Sequence, residues 1–126
     1  MHISLALFNY FFAKCQELGF DTYEVLPDDT VPYPFVRVNQ ATLTGGSTKT
    51  GFAGEITINL DLFGTLYQKL ELSEMQQKLE AVGLTGIWLS DTSLVAVVDN
   101  YQAVNLLDTS TTTPLNHTNL SFKFRY

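Results

Sequence analysis

Few residues in this chain are of a type and spacing that carries chemistry, and each has a plainer role open to it. The run Thr44 to Gly51, TGGSTKTG, sets paired glycines ahead of Lys49-Thr50 and so resembles a phosphate cradle. Such a cradle needs Gly directly before the Lys and a helix directly after it, so that backbone amides converge on the anion. Here Thr48 precedes Lys49 and a strand pattern follows, which predicts a projecting connection between two strands. The adjacent carboxylates Asp28-Asp29 lie in a Pro-bounded turn, where such pairs cap backbone amides and point apart. A metal would need further ligands, and none stands at a recognisable spacing. Cys15 falls on the apolar side of a helical pattern, where a thiol is inert and its pKa raised. His2 and His117 are the only histidines, so a Cys–His nucleophilic pair is not expected. Trp88, after Thr85-Gly86, reads as a core anchor. No catalytic, cofactor-binding or metal site is expected, and the chain does not read as an enzyme.

The elements that must position these residues centre on Gly54 to Phe63, GEITINLDLF. Ile56, Ile58, Leu60 and Leu62 alternate with Glu55, Thr57, Asn59 and Asp61, the period of a strand with one dry and one wet side. A slip of one residue would expose all four aliphatic side chains, so the register is firmly set. Ser4 to Leu18 carries Leu5, Phe8, Phe12, Cys15 and Leu18 at helical spacing, with Leu7, Tyr10 and Phe11 widening the apolar surface. Gly19 stands where a left-handed cap ends a helix. Asp21 to Leu26 predicts a short strand, then the Pro-rich run 27–34 a turn, then Phe35 to Leu43 a second strand. After a lead-in over 65–72, Ser73 and Gln76 form a capping-box pair opening a second helix that ends at Gly83. Leu94 to Leu107 predicts one long strand or two, broken near Asp99-Asn100, and Leu120 to Tyr126 alternates as a closing strand. The expected fold is one α+β domain spanning 1–126. Its order is α-β-β-β-α-β-β, with two helices on one face of a mostly antiparallel or mixed sheet.

Composition bounds the partners. A net charge of −6 and only seven Lys and Arg argue against a nucleic-acid grip, which needs a basic face. Charged residues make up 16% of the chain, a lean surface for a small globule, so part of it is expected to meet a neighbour. The apolar start is too short to span a bilayer, is interrupted by Asn9 and Lys14, and reads as a helix of the fold. A single cysteine rules out an internal disulfide and suits a reducing compartment.

Three segments carry a resemblance. They are Tyr23 to Val38, YEVLPDDTVPYPFVRV; Thr48-Lys49-Thr50-Gly51 with the following strand and Asp61-Leu62-Phe63; and Asp108, a Thr/Ser run, His117 and the strand Leu120 to Tyr126. With them the chain resembles the tail-terminator or tail-completion family, small head–tail joining proteins at the neck of long-tailed bacteriophages. The resemblance implies a phage or prophage structural protein with no cofactor, assembled as a homo-oligomeric ring, typically a hexamer. Such a ring caps the tail-tube protein and meets the head connector in the virion neck, after assembly in the host cytoplasm. It also implies an assembly contact, for which the candidates are Gly45, Gly46, Ser47, Thr48, Lys49 and Thr50. The alternative is a small bacterial α+β enzyme or ligand-binding domain with a pocket between helix and sheet.

Overall fold

The long strand Gly54–Thr65 (β4) is the centre of the molecule. In this computed structural model, which describes residues 2–28, 30–45, 54–90, 92 and 94–126, Ile56, Ile58, Leu60 and Leu62 are fully buried. Burying each such side chain is worth roughly 1.5–3 kcal/mol. β4 pairs antiparallel with Leu115–Arg125 (β7) from Glu55 to Thr65, which sets Ile58 opposite Phe122 and Ile56 opposite Phe124. β7 in turn pairs with the 15-residue strand Leu94–Asp108 (β6), whose register shifts between Val98 and Asn100, the expected place of a break. A bulge there bends the strand without ending it.

The remaining strands are short. Thr22–Tyr23 (β1) runs parallel to Phe35–Val38 (β2), and β2 and Thr42–Gly45 (β3) both pair antiparallel with β4. Ile87–Leu89 (β5) pairs with the start of β6. The seven strands follow the order β1-β2-β4-β7-β6-β5, with β3 beside β4, and make a mixed sheet. The observed element order is therefore α-β-β-β-β-α-β-β-β, not the expected α-β-β-β-α-β-β. Two features account for the difference. The predicted strand 35–43 divides at Asn39, whose side chain turns to donate to Asp61 Oδ2 at 2.7 Å. β5 is three residues long, too brief for a period of two to declare itself in the sequence.

Helix Ile3–Glu17 (α1) begins after His2, whose Nδ1 accepts from the Ser4 amide at 3.1 Å. It ends at Leu18 and at Gly19, which has a φ of 84°. Its buried line is Ile3, Leu7, Phe11 and Cys15, so Leu7 and Phe11 are central, whereas Leu5 is half-exposed. Phe11 packs on Phe122 at 5.4 Å between ring centroids and on Phe124 at 6.1 Å. Helix Lys69–Gly83 (α2) starts four residues before the expected Ser73 cap. Gln68 occupies the cap position, its Oε1 accepting from the Thr65 amide and its Nε2 donating to the Tyr33 carbonyl. Gln76, the expected capping partner, instead bonds Glu80 one turn on, at 3.1 Å.

α1 touches β1 and β2 at one edge of the sheet and β5 at the other. A flat sheet in this order would hold those edges roughly 24 Å apart, more than the roughly 22 Å length of the 15-residue α1 laid straight across it. The sheet is thus curled around α1, while α2 packs on β4 and β7. The expected packing of two helices on one face of the sheet is not fully met. One domain is observed, with a single core to which both helices contribute.

Candidate functional site

On the wet side of β4 the structure gathers a cluster that the sequence reading did not assemble. Asp61 Oδ1 lies 2.7 Å from His117 Nε2 and accepts from Asn119 Nδ2 at 2.9 Å, while Oδ2 accepts from Asn39. Burial pushes the Asp61 carboxyl upward, but these three hydrogen bonds and the His117 charge outweigh it and hold the group below the usual carboxylate range. His117 lies flat against Phe63, with centroids 4.4 Å apart and planes within 11°. Phe63 stacks on Phe35 and Phe35 on Tyr33, so a ladder of rings runs across β7, β4 and β2 to the Pro-rich turn. Below it, Lys123 and Arg125 reach Glu55 and Asp99, the shortest contacts being 3.0 Å and 3.1 Å. Two acids face two bases, and the patch is neutral.

The signal for this cluster was present but cut short. The closing strand starts at Leu115, five residues earlier than expected, and that extension carries the alternation back through Asn119 and His117. Register then sets Asn119 opposite Asp61 and His117 opposite Phe63. An Asp–His pair can orient an imidazole as a base toward a water or a side-chain nucleophile. Cys15 cannot serve as the latter. It is fully buried in the core on the other side of the sheet, and burial pushes its thiol up to about 12. Thr118 faces the helix side as well, its hydroxyl donating to Asn105 Oδ1 at 2.7 Å. Asp61 is best described as a clasp joining β4, β7 and the β2–β3 connection.

A cleft of about 340 Å³ opens between α2 and the far ends of β6 and β7, its lining including Ser73, Gln76, Asn105, Asn116, Thr118 and the His117 that pairs with Asp61. Asn116 donates to the Thr65 carbonyl and Asn105 is held by Thr118, so much of its polar lining is already engaged.

Of the candidate assembly contact, Gly45 ends β3, opposite Gly54. Gly46, Ser47, Thr48, Lys49 and Thr50 lie outside the described residues. Asp28 caps the Thr30 amide and hydroxyl, as a turn carboxylate should, and these bonds lower its pKa; Asp29 also lies outside the described residues. Trp88 corrects the expectation of a core anchor. Ile87 and Leu89 point inward from β5, so the alternation turns Trp88 out, opposite Val95 and 58% exposed. Among the described residues no helix is long and apolar enough to cross a membrane, and no three ligand side chains group to hold a metal. No family model matches the chain, and no curated protein matches it.

Proposed function

We propose that this chain is a structural protein of a long-tailed phage or prophage, a tail-terminator or tail-completion subunit. In this reading it forms a ring, six-membered by resemblance, that caps the tail tube and joins the tail to the head. The observation that carries the reading is the exposure of apolar side chains at both edges of the sheet. Val25, Leu26 and Leu43 stand out near β1 and β3, and Trp88, Val95 and Val97 near β5 and the start of β6. A closed ring joins two different surfaces of each subunit, and two separate apolar patches on opposite edges suit that requirement. The segments that carry the resemblance, Tyr23 to Val38 and Asp61 to Phe63, meet in the ring ladder beside the first of these edges. The loop Gly45 to Thr50 is assigned as the contact with the tube or a neighbour, with Lys49 orienting an acidic partner.

The test is complementation. A phage lacking this gene gives overlong tubes or headless particles, and the intact gene restores normal ones. Normal particles without the gene contradict the reading. A ligand-binding or enzymatic role is the second reading, favoured by the cleft beside α2. It requires a small molecule that raises the melting temperature of the wild type but not of a Gln76→Leu variant.

A further inference from the structure

We infer that the outer edge of β6 is a strand-pairing surface and that its partner is a second copy of this chain, joined β6 to β6 in antiparallel fashion. β5 pairs only with Leu94, Val95 and Ala96. From Val97 to Asp108, β6 pairs with β7 on one side, and no strand among the described residues pairs with its other side. Such an edge presents a row of backbone donors and acceptors, and proteins blunt it with Lys, Pro or a short strand. A bulge, another such device, lies at Val98/Asn100, but beyond it the stretch from Asn100 to Leu107, NYQAVNLL, holds no charge, proline or glycine. Gln102, Asn105, Leu106 and Leu107 are exposed along it, Leu107 to 60%.

Length and charge choose the occupant. The strands at the opposite edge of the sheet are β1, with two residues, and β3, with four, and neither matches so long a row. Another β6 matches it by symmetry, since a two-fold contact sets one surface against itself. The chain carries −6 overall, so most faces of two copies repel, and the uncharged stretch is where they approach at least cost. Of the acids that flank it, Asp99 is held by Arg125 and Lys123, and Asp108 caps the Ser110 amide and hydroxyl. The pairing is a property of the free chain and does not rest on the proposed function.

Sedimentation velocity of the full chain over a range of concentrations should show a reversible monomer–dimer equilibrium, built on the 14.1 kDa subunit. The double variant Gln102→Lys, Leu106→Lys places like charges across the two-fold and should weaken the dimer by about tenfold or more. Val25→Lys, exposed just past β1 at the other end of the strand order, should leave it unchanged. In the wild type, hydrogen exchange of the amides from Val97 to Asp108 should slow as concentration rises. A chain that stays monomeric, a dimer that tolerates both lysines, or exchange over β6 that ignores concentration overturns the inference. A hexamer with no dimer would also overturn it while favouring the ring, so the two proposals fail separately.

Discussion

Asp61 accepts from three side chains on two other segments, which makes it the most connected carboxylate among the described residues. Because its folded pKa is depressed, its contribution to stability is fully present above the unfolded value, about 3.9, and is lost as pH falls through the lower folded value. Asp61→Ala should cost about 1–3 kcal/mol at pH 7, because Asn39, Asn119 and His117 lose their acceptor together. Urea titrations at pH 7 and at pH 2 should show the gap between variant and wild type closing at the acid end. An equal gap at both would mean the carboxylate charge contributes nothing. Cys15 illustrates the opposite case, a reactive residue type silenced by burial. A thiol reagent should leave it unmodified in the native protein and label it once the chain is unfolded in urea.

At the scale of elements, the alternation of β4 and the fit of α2 make the strongest claims. Ile58→Asp would bury a carboxylate opposite Phe122 and should abolish folding, read as loss of the cooperative thermal transition. A variant that melts like the parent would mean the register of β4 is wrong. Gly83 ends α2 so close to Phe122 that an added Cβ would lie 2.3 Å from its ring, and that ring is fully buried. Gly83→Ala should therefore destabilise by about 1–3 kcal/mol in chemical denaturation, although alanine is the better helix former. The same elements explain what the sequence made legible. β4 and the end of β7 carry clean periods, because each buries one side against a single core, and they were read to within a residue or two. The bounds of α1 were read as closely, but its buried line runs through Leu7 and Phe11 and not through Leu5. α2 was started late because Ser73 and Gln76 imitate a capping box, while Gln68 reaches back to Thr65 and across to Tyr33, 35 residues away in sequence. No local pattern announces that second contact. Trp88 was placed inside on its residue type, and the two-residue alternation of a very short strand turned it out.

At the scale of the whole molecule, the curl of the sheet around α1 gathers the aliphatic side chains into one core. Apolar residues are left at both edges, and the charged patch formed by Glu55, Asp99, Lys123 and Arg125 is balanced. The Asp61 cluster was not legible as a site, because its members come from positions 39, 61, 117 and 119 and only strand register brings them together. Thr44 and Gly45 belong to β3 and pair with β4, so only Gly46 to Gly51 can be replaced freely, and a two-residue Asn-Gly turn there should leave the melting temperature nearly unchanged. The shortened chain should nevertheless fail to restore normal tails in the complementation assay. Normal tails would move the contact surface elsewhere. If, as proposed, this chain closes tail tubes as a ring, electron microscopy of the purified protein mixed with phage tail tubes should show it. A ring of uniform diameter, six-fold in class averages, is expected at one end of each tube and absent when the protein is omitted. Tubes whose ends look the same with and without the protein would contradict the proposal.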